Sequence, residues 1–230
     1  MPCPSTSIPP GQELWLQQTG PAPWQALWQQ SWAGLGLQPE ADLLPQLLAA
    51  YGQPQRHYHG LRHLHECLWH WQQARHLAAS PALVALALWF HDAVYEPRAK
   101  DNERRSAQWA VQALQAAGAP ASMAGQVQAL IMATCHTAQP AAGDARLVVD
   151  IDLAILGAAP ARFAQYQRQV RQEYAWVPEA AYRQGRRAVL QGFARRAAIY
   201  GTPWFQARLE ARARANLAQA LAGLDGAAAR

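Results

Sequence analysis

Three separate stretches of this 230-residue chain carry side chains that could bind a divalent metal ion. They combine histidines with aspartates, and each stretch is set among apolar neighbours. In chain order the residues are His59, His63, the doublet His91-Asp92, Asp150 and Asp152. Imidazole and carboxylate groups are preferred ligands of borderline and hard cations such as Zn, Mn, Fe and Mg. The residue types therefore predict a metal-dependent hydrolase.

The first stretch has a spacing that suits one face of a helix. His59, His63 and Glu66 lie at positions i, i+4 and i+7, so their side chains can point into one cleft. The helix is expected to run from Gly60 to about Ala78, and His59 lies on its first turn only if Gly60 opens it.

The other two stretches place carboxylates where burial is expected. The run Ala82–Phe90 has no polar face, so it must be buried on all sides, and it leads directly into His91-Asp92. A buried carboxylate without a partner costs several kcal/mol, and a divalent cation removes that penalty. Asp150 and Asp152 lie in a similar apolar run. On a helix they are about 200° apart, so only one of them can face a metal ion, and the other must cap, bridge or reach solvent.

Composition and periodicity predict an all-α fold. Alanine and leucine are abundant, and apolar residues recur at helical spacing. We expect a loose N-terminal arm over 1–23, which is rich in proline, and a single domain over 24–230. The helices are expected from about Trp24, over Pro39–Tyr51, from Gly60, from Pro81 to His91, over Asp101–Ala117, Ser122–Cys135 and Leu147–Leu156, with three more between Pro160 and Leu224.

The charge balance favours a small anionic partner. The net charge is +5, and almost all of the cations are arginines, with Lys100 the only lysine. Arginine binds phosphate and carboxylate groups well, so a small phosphorylated substrate is plausible, although genome composition could produce the same bias. No basic cluster interleaved with aromatic residues is present, which makes nucleic acid an unlikely partner. The three cysteines predict no disulfide framework, and no apolar run is long enough to span a membrane, so we expect a cytoplasmic protein.

Several motifs of the chain resemble the HD superfamily of metal-dependent phosphohydrolases. The order of a histidine, a His-Asp doublet and a distal aspartate on helices carries the general resemblance. The closer resemblance is to a bacterial group described only as predicted metal-dependent HD phosphohydrolases, and it covers roughly residues 35 to 220. It rests on Arg56-His57-Tyr58-His59, Trp89-Phe90-His91-Asp92-Ala93-Val94-Tyr95, Asp101-Asn102-Glu103, Asp152-Leu153-Ala154-Ile155-Leu156-Gly157, Val170-Arg171-x-Glu173-Tyr174 and Ile199-Tyr200.

The resemblance implies roles for individual residues. It makes His63, His91, Asp92 and Asp152 the metal ligands, and it prefers Asp152 over Asp150 because the last aspartate of the superfamily is commonly followed by leucine. His59 matches the histidine that protonates the leaving oxygen in the related cyclic-nucleotide phosphodiesterases. Asp92 could also help to take a proton from the attacking water.

Four further residues are candidates with a structural alternative each. Glu103 could orient water or bind a second ion, or it could simply interact with a helix dipole. His136 could contact phosphate or a second ion, or it too could serve a helix end. Arg171 and Arg187 could clamp a phosphate, although most of the nearby arginines are expected to form a solvated face.

The expected reaction is hydrolysis of a phosphomonoester or phosphodiester by water that a divalent metal ion activates, and the expected substrate is nucleotide-like. Tyr95-Glu96 supplies one carboxylate fewer than related hydrolases of guanosine tetraphosphate have after their doublet, which puts that activity in doubt. Two alternatives stay open. One is a haloacid-dehalogenase-type phosphatase with Asp150 as its nucleophile, and the other is a non-catalytic HD-fold protein that binds a nucleotide or nucleic acid through arginines.

Overall fold

The computed structural model describes residues 21–136, 138, 140 and 142–226. This part of the chain contains ten α-helices, three short 3₁₀ helices and no β-strand, so the predicted all-α class is confirmed. The α-helices are α1 (Pro21–Ala33), α2 (Leu43–Tyr51), α3 (Leu61–Ala74), α4 (Pro81–Phe90), α5 (Asn102–Ala116), α6 (Ala121–Met132), α7 (Asp144–Asp152), α8 (Pro160–Glu173), α9 (Glu179–Ala194) and α10 (Pro203–Gly226). The 3₁₀ helices span Arg75–Leu77, Ala133–Cys135 and Leu153–Gly157.

Helix α4 lies at the centre of the fold. Every residue from Leu83 to Phe90 is buried, as the run without a polar face predicts. The helix packs against α1, α3, α5, α6 and α7. Its start is held from another helix, because the Asp144 carboxylate accepts hydrogen bonds of 2.8 Å from the backbone amides of Ala79 and Ser80. This central position carries the residues that follow Phe90 into the interior.

Helix α1 closes the fold on the N-terminal side. Trp28 and Trp32 are buried, and the Trp28 ring lies 5.2 Å from that of Trp89 in an edge-on contact. The helix begins at Pro21, three residues before the expected start at Trp24. Residues 1–20 of the predicted N-terminal arm lie outside the described residues.

Helix α10 covers the 3₁₀ helix Leu153–Gly157 and packs beside α9. The close approach requires a glycine, because a Cβ atom on Gly157 would lie 2.6 Å from the Cβ of Leu209. Asn216 adds hydrogen bonds from its Nδ2 to the carbonyl oxygens of Leu156, at 2.8 Å, and Ala158, at 2.9 Å. The C-terminal helix is thereby fixed against the end of α7.

None of the helices in the described ranges combines the length and the apolar character that crossing a membrane would need.

Candidate metal centre

Three different helices bring the expected metal ligands together. His63 lies in the first turn of α3, His91 and Asp92 directly follow α4, and Asp152 is the last residue of α7. Helix α4 packs against both α3 and α7, so the end of the central helix meets the two others. Residues separated by up to 89 positions in the sequence therefore share one site.

The distances among these side chains match those of a coordination shell. His63 Nε2 lies 3.0 Å from His91 Nε2 and 3.1 Å from Asp152 Oδ1. His91 Nε2 lies 3.6 Å from the same Asp152 oxygen, and Asp92 Oδ2 lies 3.4 Å from both imidazole nitrogens. Four N and O donors held tetrahedrally at about 2.05 Å from an ion would be about 3.3 to 3.4 Å apart. The donor set therefore fits a divalent cation.

Neighbouring groups fix the orientation of the doublet. His91 Nδ1 lies 2.8 Å from the carbonyl oxygen of Leu88, so Nδ1 carries the proton and the Nε2 lone pair faces the cluster. The Asp92 amide donates to the Tyr51 hydroxyl at 3.1 Å. The buried Arg56 donates to the carbonyl oxygens of Asp92, at 2.5 Å, and Ala93, at 2.9 Å. Arg56 thus holds the backbone of the doublet in place.

The structure adds Cys67, a donor that the sequence analysis did not include. Its buried Sγ lies 3.8 Å from His63 Nε2, and one donor atom each from His63, Cys67, His91 and Asp152 lie within 4.8 Å of one another. This buried group could hold a metal ion. The signal was present in the sequence, because Cys67 follows His63 by four residues and so lies on the same helix face.

The histidines and the carboxylates of the cluster shift one another's pKa values. Burial opposes protonation of His63, but the Cys67 side chain and the Asp152 carboxylate outweigh it and raise the pKa of the imidazole. Burial also opposes ionisation of Asp152, yet hydrogen bonds from His136, His63 and His91 hold its pKa well below the usual range. Two imidazole nitrogens 3.0 Å apart cannot both point a proton at each other. The arrangement suits a shared cation between them.

His136 reaches the cluster through Asp152. Its Nε2 lies 2.9 Å from Asp152 Oδ2, while the other carboxylate oxygen faces His63 and His91. The predicted helix Ser122–Cys135 ends earlier, at Met132, and a 3₁₀ helix then leads into His136, whose φ of 54° is left-handed. The residue that ends this 3₁₀ helix thus contacts Asp152.

His59 lies beside the cluster but outside helix α3. Gly60 is the N-cap, so His59 precedes the first turn rather than lying on it. Its ring centre is 5.9 Å from that of His63, and it stacks on Tyr95 at 4.1 Å with an angle of 24°. His59 Nδ1 lies 2.7 Å from Glu173 Oε2. The ring is therefore held on one face and at one nitrogen, which leaves Nε2 as its second polar atom.

Glu173 is a second residue whose role the sequence analysis missed. Its buried carboxylate accepts hydrogen bonds from the backbone amides of Tyr58, at 2.7 Å, and His59, at 2.9 Å, and from the Tyr95 hydroxyl, at 3.1 Å. Burial alone would raise the pKa of Glu173, but the hydrogen bonds from His59 and the two amides lower it overall. Glu173 thus remains ionised beside the imidazole of His59. The resemblance motif contains this residue, but no sequence pattern links it to a histidine 114 positions earlier.

A cavity of about 350 Å³ adjoins one side of the cluster. His63, Cys67 and Asp152 lie at one end of it, and its wall includes four arginines, Arg62, Arg162, Arg208 and Arg212. Glu66, which the helical spacing placed on the face of His63, also lines this cavity and forms a two-pronged ion pair with Arg162, at 2.6 and 2.7 Å.

The structure places the two predicted phosphate-binding arginines, Arg171 and Arg187, away from the cavity. Arg171 donates to Glu179 at 3.0 Å and to the carbonyl oxygen of Tyr174 at 2.7 Å, so it closes the end of α8. Arg187 donates to the carbonyl oxygen of Leu224 at 3.1 Å. Neither arginine lines the cavity, because each guanidinium is used to join helix ends.

Glu103 also lacks a described hydrogen bond to the cluster. It lies half-buried in the first turn of α5. Burial raises the pKa of the Cys135 thiol, and the charge of Glu103 raises it further. This position fits the helix-dipole alternative for Glu103.

Comparison with known proteins does not assign the chain to a family: no protein-family model, no curated protein and no solved structure matches it. The likeness to the HD superfamily therefore stays a resemblance of motifs.

The dehalogenase-type alternative finds no support in the described residues. Asp150 lies on a helix, and its two carboxylate oxygens accept hydrogen bonds from the backbone amides of Gly201, at 2.6 Å, and Thr202, at 2.7 Å. The described ranges hold no strand that could precede a nucleophilic aspartate. Asp150 instead ties α7 to the segment before α10.

Proposed function

We propose that this protein is a metal-dependent phosphohydrolase. The observation that carries the proposal is the convergence of two imidazoles and two carboxylates from three helices. The two imidazole nitrogens lie 3.0 Å apart, and each lies 3.1 to 3.6 Å from an oxygen of both carboxylates. The motif resemblance supports the same reaction class. A neighbouring histidine held by a buried carboxylate adds the group that such a reaction needs for proton transfer.

His63, His91, Asp92 and Asp152 would hold the cation. Bound there, a divalent cation supplies Lewis acidity for a phosphoryl oxygen and for an attacking water. Two imidazoles and a nearby thiol are softer donors than Mg²⁺ prefers, so Zn²⁺ or Fe²⁺ suits the set better. The interior position of the two histidines excludes bulk water from one side of the site, since their side chains are only 2% and 1% exposed.

His59 would donate a proton to the leaving oxygen. Its Nδ1 contacts the ionised carboxylate of Glu173, which holds the ring in position, and Nε2 is the nitrogen left for the substrate. Stacking on Tyr95 holds the ring plane while the proton moves. Asp92 would serve both as a ligand and as an acceptor for the proton of the attacking water.

The substrate would be a phosphomonoester or phosphodiester, with a small nucleotide-like compound as the leading class. A cavity of about 350 Å³ accommodates a small molecule rather than a polymer.

Metal analysis of the purified protein, followed by a phosphate-release screen over nucleotides and sugar phosphates, tests the proposal. Wild type should hold about one divalent ion per chain, and Asp92→Ala should lose both metal and activity. His59→Ala should keep the metal and hydrolyse esters of poor leaving groups about 10² to 10⁴ times more slowly. Asp101→Ala, at a half-buried aspartate that pairs with Arg104, is the matched control.

Undiminished metal content in Asp92→Ala would contradict the site. Stoichiometric metal together with nucleotide binding and no turnover of any ester would favour the remaining alternative, a non-catalytic nucleotide-binding protein.

A further inference from the structure

The arginine-lined cavity extends from the metal donors along the inner face of α3. His63, Cys67 and His70 lie at i, i+4 and i+7 on that helix, and all three line the cavity. Seven residues of α-helix rise about 10 Å. The cavity therefore has one end at the cluster and a second end roughly 10 Å away, near His70.

The cations of this cavity outnumber its carboxylates. Arg62 and Arg162 share the single carboxylate of Glu66. Arg208 and Arg212, on α10, have no carboxylate within ion-pair distance among the described residues, and their polar contacts are backbone carbonyl oxygens, those of Trp204 and Gly157. Two like charges at i and i+4 on a helix repel each other. An anion between them would remove that repulsion.

One of these arginines is already oriented. The Arg208 guanidinium stacks on the Trp204 ring at 4.0 Å from its centre, and Trp204 also lines the cavity. Such a cation–π contact fixes a long side chain, so less rotamer freedom is lost when it binds a ligand.

His70 supplies an unsatisfied polar atom at the same end. Its Nδ1 is buried and has no hydrogen-bond partner among the described residues. Burial lowers the pKa of His70 to about 4, so the ring is neutral near pH 7. A buried polar atom without a partner is costly, and His70 is one of the residues that line this cavity.

We propose that this cavity binds a small phosphate ester that carries a second anionic group. The phosphoryl end would lie at the cluster of His63 and Asp152, and the remote carboxylate or phosphate would lie between Arg208 and Arg212. The proposal rests on the proposed function and goes beyond it by naming the second charge and the residues that recognise it.

Two non-hydrolysable probes test the second charge directly. One is 6-phosphonohexanoate, which has a phosphonate at one end and a carboxylate at the other, and the second is hexylphosphonate, which lacks the carboxylate. Calorimetry on the zinc-loaded protein should show roughly tenfold tighter binding of the first. The ratio of the two dissociation constants should fall to about one in the Arg208→Gln/Arg212→Gln double variant. The control variant Arg105→Gln, at an exposed arginine on α5, should keep the ratio of wild type.

Equal affinity for the two probes in wild type, no binding of either, or a ratio that persists in the double variant would overturn the inference. If the protein hydrolyses esters but binds the two probes with equal affinity, the phosphohydrolase proposal stands and only the second anionic site is refuted. The expected ratio without turnover of any ester would support the anion site and remove the phosphohydrolase.

Discussion

The two aspartates of α7 provide a paired test of the site, because their contacts differ completely. Asp150 accepts from the amides of Gly201 and Thr202 at 2.6 and 2.7 Å, whereas Asp152 faces His63 and His91. Asparagine offers one acceptor oxygen, so Asp150→Asn loses one of two hydrogen bonds to a charged group. That loss costs about 1.5 to 3 kcal/mol. For a domain of this size we expect the melting temperature to fall by about 5 to 10 °C with metal content unchanged.

Asp152→Asn should show the opposite behaviour. It removes the anion that faces two imidazoles. Substitution of a residue that only supports a ligand can weaken metal binding by up to roughly 100-fold, so loss of a ligand itself should weaken it by at least that much. Metal per chain after dialysis against a zinc buffer, and thermal unfolding of the metal-free protein by circular dichroism, separate the two effects. Retained metal in Asp152→Asn together with lost metal in Asp150→Asn would refute the assignment of these residues.

Three further substitutions test other parts of the site. Glu173→Gln should keep the metal but lower kcat about tenfold or more for esters of poor leaving groups, because an amide binds His59 Nδ1 more weakly than the carboxylate does and holds the ring less firmly. Equal slowing for activated esters would argue against this role. If Cys67 adds a thiolate to the four N and O donors, cobalt-substituted wild type should show a sulfur-to-cobalt charge-transfer absorption that Cys67→Ser lacks. Absence of this absorption from wild type would exclude the thiol as a ligand. The pKa of His70 is about 4 in the folded protein and near 6.5 in the unfolded protein, so between these values the unfolded state binds one proton more than the folded state. The free energy of unfolding should therefore fall by about 3 kcal/mol as the pH drops from 6.5 to 4. Urea unfolding over this pH range should show that His70→Gln loses less stability than wild type. Equal losses of stability in the two proteins would show that His70 is not the cause.

The local sequence pattern predicted which segments are helical more accurately than it predicted where the helices begin and end. The apolar run before His91 required a helix buried on all sides, and α4 has this property. The helix expected over Leu147–Leu156 starts earlier, at Asp144, and tightens into a 3₁₀ helix at Leu153. The 3₁₀ helix Leu153–Gly157 packs against α10, and no local pattern contains this tertiary contact.

Only those site residues that lie on one helix or within one motif could be predicted from the sequence. Cys67 shares a face with His63, yet a buried cysteine is most often a small apolar side chain, so its spacing alone indicated little. Glu173, Arg208 and Arg212 lie far along the chain and reach the site through the folding back of α8 and α10. Helical periodicity shows which residues share a face but not which helix they meet. For the same reason it could not show where Arg171 and Arg187 lie relative to the cavity.

The exposure of the cluster is asymmetric, and this asymmetry indicates where a substrate would approach. The His63 and His91 side chains are 2% and 1% exposed, whereas those of Asp92 and Asp152 are 14% and 13% exposed. The imidazoles thus form the inner wall, and the carboxylates face outwards. Of the described residues, Asp152 alone belongs to the donor cluster, lines the arginine cavity and contacts His136. A phosphate ester whose remote charge lies at the arginines would therefore reach the cluster beside Asp152, so changes at this residue should affect metal binding and the binding of the second charge together.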